Sequence, residues 1–319
     1  MSDLRFDGKI AIVTGAGAGL GRSHALLLAS RGATVVVNDV GGSVDGVGQD
    51  VGPAAAVAAE IRANGGTAVA DTHSVATQEG GAALVQTALD AYGRVDILVN
   101  NAGILRNAPF AELTAQAFEA VLDVHLRGAF FVTQPAWRAM RDQGSGRIVN
   151  TTSTAGLLGN AGYSNYAAGK GGVYGLTRVL SLEGAPCGIK VNAIAPTAAT
   201  RMLTEAMTSQ EPAPNEIADQ AMLAAMQSIV AALDPALVAP VVAYLAHDEC
   251  AVTGEVFSVG GGQVSRLFLA RSAGYSNRNL SPELVRDHLG QIRDTTAFTV
   301  PADTSEETAL LLQSITAGT

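Results

Sequence analysis

The chain has 319 residues, of which 48% are hydrophobic and 15% charged, and its formal net charge is −9. This composition excludes a disordered main body and is rich enough in apolar residues to cover both faces of a buried sheet. The acidic balance argues against nucleic acid as a partner, because nucleic-acid binding depends on Lys and Arg contacts to phosphate. The two cysteines, Cys187 and Cys250, have no metal-ligand spacing and fit a reducing compartment.

Neither end of the chain carries a targeting signal that we can identify. The first residues, MSDLRFDGK, contain no apolar signal core, and no run approaches the roughly 20 apolar residues of a membrane span. The last residues, ITAGT, do not form a peroxisomal address. We therefore expect a cytoplasmic protein without a membrane span.

In chain order, short apolar runs rich in β-branched residues alternate with segments of helical length. Near-continuous apolar runs are typical of parallel strands buried on both faces. The repeated βαβ order predicts the α/β class, with a Rossmann-type doubly wound parallel sheet and helices on both faces. The predicted strands are 9–14, 33–39, 67–70, 95–100, 146–150 and 189–195, and the predicted helices are 20–31, 53–64, 77–92, 114–141 and 163–184.

The remaining segments define the expected domain organisation. A last strand is predicted within 254–262, and the glycine-rich stretch 40–52 predicts a loop. Beyond Gly262 the alternation ends in a more polar tail. We expect a single domain over residues 1–262 that contains the whole site. A C-terminal extension over residues 263–319 is expected to pack on the body or on a partner subunit.

The sequence TGAGAGLG, from Thr14 to Gly21, follows the first predicted strand directly and opens a helix. Glycines in such a turn let the backbone approach a pyrophosphate, which binds the free N–H groups at the helix start. The strand–turn–helix context favours this interpretation over a flexible loop. The expected dinucleotide-binding residues here are Gly15, Gly17, Gly19, Leu20 and Gly21.

Asp39 ends the second predicted strand, about twenty residues beyond the turn, where a carboxylate can accept hydrogen bonds from both ribose hydroxyls. The same charge repels a 2′-phosphate, and no Lys or Arg stands between Gly15 and Gly21 or directly after Asp39. We therefore predict NAD rather than NADP. The alternative interpretation of Asp39 is a solvated aspartate at a strand end.

A second motif, SNYAAGKGG, contains Tyr166 and Lys170, and Ser153 precedes it. Residues at i and i+4 share one helix face, so both side chains can reach one cleft. A phenol has a pKa of about 10 and needs a nearby cation to act as a base near neutral pH. Lys170 can supply that cation, and the Ser153 hydroxyl can hold the oxygen of an alcohol or ketone. This set predicts a hydride-transfer enzyme, and no metal site is expected.

TGAGAGLG, NNAG at 100–103, Ser153 and YAAGK at 166–170 together resemble the short-chain dehydrogenase/reductase family. RFDGKIAIVTGAGAGLGR, VVVNDVGG, NNAGILR and DVHLRGAF are similar to one branch of it, the (3R)-hydroxyacyl-CoA dehydrogenase domains of peroxisomal multifunctional enzymes, also called 17β-hydroxysteroid dehydrogenases. The motifs cover residues 8–262. The resemblance implies NAD as cofactor, oxidation of a secondary alcohol, and a homodimer or homotetramer.

The resemblance also implies roles at matching positions. Tyr166 would be the general base, Ser153 the orienting hydroxyl, and Lys170 both the stabiliser of the phenolate and a ligand of the nicotinamide ribose. Other residues would line the cofactor: Ser74 and Val75 at the adenine, Asn101, Ala102 and Gly103 at the fourth strand, and Pro196, Ala198 and Thr200, in a segment ending at Arg201, over the nicotinamide.

Two positions depart from the family pattern. His125 stands where most members have an asparagine that helps to hold a water for a proton relay. A neutral imidazole can also donate and accept, and a pKa near 6.5 would make the rate sensitive to pH. A hydrogen-bonded structural histidine is the alternative interpretation. Thr197 replaces a glycine that many members have after the proline, which alters a loop rather than the reaction.

The substrate is predicted from the apolar character of segment 200–230, which we expect to close over a cleft as a lid. An acyl chain or a steroid suits such a cleft, and an acyl-CoA needs a local basic patch in addition. The leading prediction is a (3R)-3-hydroxyacyl-CoA with a fatty acyl or sterol side chain. The alternatives are a free hydroxysteroid, a carrier-protein ketoacyl substrate, which Asp39 disfavours, and a non-catalytic NAD-binding regulator. The chain has no room for a hydratase domain, so any partner activity is expected on other chains.

Overall fold

The structure is a computed structural model that describes residues 3–200 and 232–317. The chain divides into two compact units, Met1–Arg266 and Leu267–Thr319. In the part of the chain that the structure describes, no helix is both long enough and apolar enough to cross a membrane.

The first unit is built on one eight-stranded sheet. Its strands are β1 (Ile10–Thr14), β2 (Thr34–Asn38), β3 (Thr67–Asp71), β4 (Ile97–Asn100), β5 (Gly146–Thr151), β6 (Ile189–Pro196), β7 (Val256–Gly260) and β8 (Gln263–Leu267). Their spatial order is β3-β2-β1-β4-β5-β6-β7-β8, and every pair from β3 to β7 is parallel. The order reverses between β1 and β4, which creates the crevice where doubly wound sheets bind ligands. The predicted fold class is confirmed.

Helices connect the parallel strands of this unit, and they include two short helices, within 154–158 and 239–246, that the sequence did not predict. Thr77 begins one of them by accepting a hydrogen bond from the Gly80 amide, and Gly93, with φ of 73°, ends it in the left-handed conformation that glycine favours. In residues 3–200 and 232–266, the α-helices are α1 (Gly19–Ser30), α2 (Gly52–Ala63), α3 (Gln78–Tyr92), α4 (Ala115–Leu122), α5 (Gly128–Gln143), α6 (Thr154–Leu158), α7 (Ser164–Gly184) and α8 (Ala239–Ala246).

Two hydrophobic clusters, one on each face of the sheet, form the core. Successive residues of β1 alternate between them: Ala11 and Val13 belong to one cluster, and Ile10 and Ile12 to the other. This alternation follows from the period of two in a strand. Since both faces of the central strands are covered, these strands are mostly apolar, and this is why their sequences are near-continuous apolar runs.

The predicted helix 114–141 is interrupted in the structure. A π-helical turn, Asp123–Arg127, lies between α4 and α5 and contains His125. Such turns are rare and occur often at functional sites. The sequence pattern does not reveal it, because one wider turn changes the apolar period too little to be noticed.

The far edge of the sheet differs from the sequence prediction. The alternation of strands and helices was expected to stop at Gly262. Instead, β8 extends the sheet through Leu267 after a two-residue turn, Gly261–Gly262. All but the last residue of β8 are exposed, so its sequence lacks the apolar signal of the buried strands. The stretch from Asp39 to Val51 has no helix or strand, in agreement with the predicted loop.

The second unit is small. Its short strands, β9 (Arg271–Ser272) and β10 (Phe298–Thr299), pair antiparallel. Its helices are α9 (Pro282–Asp287), α10 (Leu289–Ile292) and α11 (Thr304–Ala317). The expectation that this tail packs on the body or on a partner subunit stays a prediction, as does the boundary at residue 262.

Candidate active site

The ends of β1 and β4 are joined by the side chain of Thr14. Its Oγ1 accepts hydrogen bonds from the backbone amides of Asn101 and Ala102, both at 3.0 Å. The Asn101 amide group donates in return to the carbonyl oxygens of Thr14, at 2.9 Å, and Gly15, at 3.1 Å. These contacts fix the two strand ends that border the crevice.

The glycine turn lies against this junction without room for side chains. A Cβ atom on Gly15 would lie 2.8 Å from the Ala102 Cα, and one on Gly21 would lie 2.1 Å from the Gly15 oxygen. Helix α1 has Ala18 as its N-cap, which provides no side-chain hydrogen bond, and the first turn of the helix contains no acidic residue. Its first N–H groups are therefore available to an anion, so the turn fits the pyrophosphate of a dinucleotide.

A cavity of about 540 Å³ opens beside this turn, at the carboxyl ends of the parallel strands. It brings together the residues that the sequence assigned to the site, with the exception of Gly17. The lining includes Gly15, Gly19, Leu20, Gly21, Asp39, Ser74, Val75, Asn101, Ala102, Gly103, His125, Ser153, Tyr166, Lys170, Pro196, Ala198 and Thr200. The roles of these residues stay predictions.

Gly17 contributes to the site through Asp39. Its amide donates to Asp39 Oδ2 at 2.8 Å, and the amide of Gly41 donates to Oδ1 at 2.7 Å. A Cβ on Gly17 would lie 2.8 Å from the same Oδ2, so a larger residue would displace the carboxylate. Each carboxylate oxygen can accept a second hydrogen bond. Asp39 is thus held in place and keeps acceptor capacity toward the cavity.

A buried carboxylate also orders the wall that carries Ser74. Asp71 accepts hydrogen bonds from the side chains of Asn38 and Thr87 and from the backbone amide of His73, and its Oδ2 lies 2.8 Å from His73 Nδ1. Asn38 also donates to the His73 carbonyl at 2.9 Å. The ends of β2 and β3 are therefore connected at the expected adenine side of the cavity.

Tyr166 lies near the start of α7, and Ser153 precedes α6 as its N-cap. Burial raises the pKa of Tyr166, and a hydrogen bond with Ser153 acts in the opposite direction. The backbone amide of Tyr166 donates to Asn165 Oδ1 at 2.8 Å. In the protein alone the phenol is therefore neutral at pH 7, and a positive charge is needed to make it a base.

Lys170 provides a cation whose charge depends on its surroundings. Only 4% of the residue is exposed, and Nζ donates to the Thr151 carbonyl oxygen at 2.6 Å. Burial lowers its pKa to about 7. Nζ lies 5.7 Å from the centre of the Tyr166 ring. At this distance an ammonium group favours the phenolate, and a phenolate in turn favours the ammonium.

The environment of His125 contradicts the expected pKa near 6.5. The residue is 3% exposed, and burial lowers its pKa well below 6.5, helped by the charge of Lys170. His125 Nε2 lies 2.7 Å from the Ile104 oxygen and 3.1 Å from the Ile104 nitrogen. A Cβ on Gly103 would lie 2.4 Å from His125 Cε1, so the glycine leaves space for the ring. His125 is therefore neutral at physiological pH.

A second, small cavity of about 10 Å³ lies beside His125 and Lys170. Its lining includes Asn100, His125, Thr151 and Lys170. In the described structure, His125 Nδ1 and Thr151 Oγ1 are buried and have no hydrogen-bond partner. A cavity of this size has room for about one water molecule, and such a water needs polar partners of this kind.

The predicted substrate side is described only in part. Tyr163 and Asn160 line the large cavity, and the ring of Tyr163 stands at 80° to that of Tyr166, with the centres 6.0 Å apart. The predicted lid over residues 200–230 lies outside the described residues beyond Thr200, and so does Arg201.

Several residues at the site escaped sequence reasoning. Thr14 and Thr151 are such residues, and Asn165, which is fully buried, donates to the carbonyl oxygens of Arg106, at 2.8 Å, and Ala117, at 3.3 Å. Their closeness in sequence to Gly15, Ser153 and Tyr166 was the signal that could have assigned them to the site. The loop after Asp39 was expected, but its place in the cavity wall was not.

The fold and the cavity together define an enzyme class: an oxidoreductase whose Rossmann-type sheet presents Ser, Tyr and Lys side chains beside a dinucleotide turn. Comparison with known proteins agrees with this, because the family model for short chain dehydrogenase matches residues 9–212. The chain belongs to the short-chain dehydrogenase family. Members of this family are oxidoreductases, and their fold binds NAD or NADP.

Individual relatives refine the comparison. The chain is 42% identical to mouse peroxisomal multifunctional enzyme type 2 over 98% of its own length, and spans 40% of that enzyme. It is 48% identical to a putative short-chain type dehydrogenase/reductase of Mycobacterium tuberculosis, over 82% of the chain and 85% of that protein. The Drosophila melanogaster multifunctional enzyme type 2 superimposes with a TM-score of 0.79 at 35% identity, over 98% of this chain and 50% of that one. A short chain dehydrogenase from Mycobacterium avium superimposes with a TM-score of 0.74 at 39% identity, over 91% of this chain and 97% of that one.

Proposed function

We propose that the protein is an NAD-dependent dehydrogenase that oxidises the hydroxyl group of a (3R)-3-hydroxyacyl-CoA, with a fatty acyl or sterol side chain. The observation that carries this proposal is one cavity that contains both the Ser153, Tyr166 and Lys170 side chains and the Asp39 carboxylate. The similarity to the dehydrogenase part of multifunctional enzymes supports the choice of substrate. The activity of those longer enzymes as wholes is not proposed for this chain.

The preference for NAD over NADP rests on charge. Asp39 repels a 2′-phosphate, and among the described residues that line the cavity Lys170 is the only Lys or Arg. Lys170 lies beside Tyr166 rather than beside Asp39, so it cannot neutralise a phosphate at the adenosine ribose. A carboxylate without a nearby cation favours two free ribose hydroxyls.

The chemistry that NAD⁺ supplies when bound is acceptance of a hydride from the carbinol carbon. Tyr166 removes the hydroxyl proton as its phenolate, which the ammonium of Lys170 stabilises. Ser153 donates a hydrogen bond to the developing ketone oxygen and holds it within reach of the phenol. Tyr163, at the same cavity wall, orients the acyl part of the substrate by contact.

His125 serves the same reaction as a neutral group. Its Nδ1 and Thr151 Oγ1 line the small cavity beside Lys170, where a water would complete their hydrogen bonding. A water in that place can pass a proton to or from the Lys170 amine without any change in the charge of His125. The proton relay that we propose at His125 therefore depends on the ability of the imidazole to form hydrogen bonds, not on its ionisation.

The assembly and the compartment are further parts of the proposal. Phe130 on α5 and Val179 and Leu182 on α7 are exposed apolar residues, and helices that present such residues suit a homodimer or homotetramer. A measured mass in solution tests this directly. The cytoplasm remains our prediction for the compartment, although the mouse and Drosophila relatives are named as peroxisomal enzymes.

The test is NADH formation from a (3R)-3-hydroxyacyl-CoA, compared with its (3S) epimer, a 17β-hydroxysteroid and the Tyr166→Phe variant. We expect turnover of the (3R) thioester with NAD⁺, and a loss of about 10³-fold in Tyr166→Phe with cofactor binding retained. The control is Tyr174→Phe, which removes a hydroxyl group from the same helix outside the cavity lining and should retain most turnover. Oxidation of the steroid alone would replace the substrate assignment. NAD binding without turnover of any alcohol would favour a regulator.

A further inference from the structure

The loop that follows Asp39 forms a closed structure that we call the strap, residues 40–51. Its base is joined by a hydrogen bond from the Asp50 amide to the Val40 oxygen at 2.9 Å. Its tip is a turn in which the Ser43 amide donates to the Val47 oxygen at 3.0 Å. The strap is therefore an ordered unit, although it contains neither helix nor strand.

The tip of the strap reaches across to the segment that follows β4, residues 104–106. The Leu105 amide donates to the Val44 oxygen at 2.9 Å, and Arg106 Nε donates to the Asp45 oxygen at 2.7 Å. Gly46 lies so close to Ile104 that a Cβ on this glycine would be 3.1 Å from Ile104 Cδ1. Two hydrogen bonds and one apolar contact thus hold the tip in place.

Segment 104–106 is also tied to the catalytic residues. The backbone of Ile104 contacts His125 Nε2, and the Arg106 oxygen accepts a hydrogen bond from Asn165, whose Oδ1 accepts from the Tyr166 amide. The strap begins directly after Asp39 at its other end. It therefore bridges the two halves of the cavity, and its residues Val44 and Gly46 line the cavity together with Ile104.

We propose that Arg106 and Gly46 are positioning residues that fasten the strap over the cavity, so that a bound NAD or NADH leaves only when the tip separates from residues 104–106. This inference rests on the proposed function for the identity of the cofactor. Both the strap and residues Ile104 and Leu105 line the cavity, and hydrogen bonds to Leu105 and Arg106 join the tip of the strap to segment 104–106. Weakening the join speeds cofactor release and leaves the reacting groups intact.

The test uses two matched pairs of variants and the release of NADH, followed by stopped-flow fluorescence without substrate. Gly46→Ala introduces a contact with Ile104, whereas Gly48→Ala, with a similar positive φ (83° against 80°), has nothing within 4 Å of its Cβ. Arg106→Met removes the Nε donor. Its control, Arg62→Met, removes a comparable bond, from Arg62 Nη1 to the Ala68 oxygen, in α2.

We expect Arg106→Met to release NADH about tenfold faster, as the loss of one charge-assisted hydrogen bond implies. Gly46→Ala should also release NADH faster, because its new methyl group crowds Ile104 and weakens the join. Both controls should release NADH at the original rate. Hydrogen exchange of the Leu105 amide in the cofactor-free protein should rise in the same two variants. Equal rates in Gly46→Ala and Gly48→Ala, or unchanged release in Arg106→Met, would overturn the inference. If the unchanged protein itself fails to bind NADH, the proposed cofactor is wrong, and the strap's role in holding it falls as well.

Discussion

The ring of His125 stands edge-on to the ring of Tyr166, with the ring centres 5.1 Å apart and the planes at 80°. A positively charged imidazolium in this position would be buried away from water and would be repelled by the positive charge of the Lys170 ammonium group. These two effects, burial first and the lysine charge second, keep the pKa of His125 well below 6.5. The histidine therefore acts on the phenol as a neutral, rigid neighbour.

The pH profile should show this neutrality. In His125→Asn we expect turnover to fall by about tenfold, through the altered contact with Ile104, while the profile of kcat/KM between pH 6 and pH 7.5 keeps its shape. Both profiles are measured with the same thioester and saturating NAD⁺. An ionisation near pH 6.5 that is present in the original enzyme and absent from the variant would contradict the assignment.

Lys170 is predicted to reduce stability in the cofactor-free protein. Burial lowers the pKa of Lys170 in the folded protein from its usual 10.5 to about 7, so the unfolded chain binds more protons between these two pH values. This destabilisation is complete below pH 7, on the order of 5 kcal/mol, and disappears as the pH rises toward 10.5. Lys170→Met should abolish turnover and raise the free energy of unfolding by about 1 to 3 kcal/mol at pH 6.5, because the loss of the bond to Thr151 offsets part of the gain.

The measurement is denaturant unfolding of both proteins at pH 6.5 and pH 9.5. The advantage of Lys170→Met should shrink at the higher pH, because the unfolded chain then gains little by protonating the lysine. A difference that is constant with pH would show that the charge of Lys170 is not the cause.

The imidazole of His125 is predicted to require a glycine at position 103. In Gly103→Ala the new methyl group meets His125 Cε1, and we expect a loss of about 1 to 3 kcal/mol in the free energy of unfolding, together with reduced turnover. Gly175→Ala is the matched control, because nothing lies within 4 Å of its Cβ in α7 and alanine favours a helix. Addition of His125→Ala to Gly103→Ala should recover part of the lost stability. If the losses of unfolding free energy in the two single variants simply add up in the double variant, the proposed contact between residue 103 and His125 is excluded.

Asp39 is predicted to select the cofactor. Asp39→Asn removes the negative charge, and its single amide oxygen can accept from only one of the Gly17 and Gly41 amides, because its NH2 group is a donor. We expect KM for NAD⁺ to rise about tenfold and the preference for NAD⁺ over NADP⁺ to fall by about 10- to 100-fold. The control is Asp90→Asn, which removes an exposed charge in α3. An unchanged ratio of kcat/KM for the two cofactors would exclude a role for Asp39 in selection.

The sequence by itself determined the sheet, the glycine turn and the pairing of Tyr166 with Lys170 on one helix, because each depends on local patterns. Buried parallel strands such as β1 and β4 must be apolar on both faces, and a close approach such as that of Gly21 to Gly15 admits only glycine. Tyr166 and Lys170 share a helix face by spacing alone. Sequence patterns could not reveal β8, because an exposed edge strand has no apolar run.

Only the tertiary structure decided the electrostatic state and the walls of the site. The low pKa of His125 and that of Lys170 come from burial by residues distant in sequence, and no local pattern encodes that burial. The π-helical turn that carries His125 and the contact of Arg106 with Asp45 likewise depend on how separate segments meet. The sequence therefore specified which groups are present, and folding set their charge and their partners, because desolvation and hydrogen bonding depend on what surrounds each group in space.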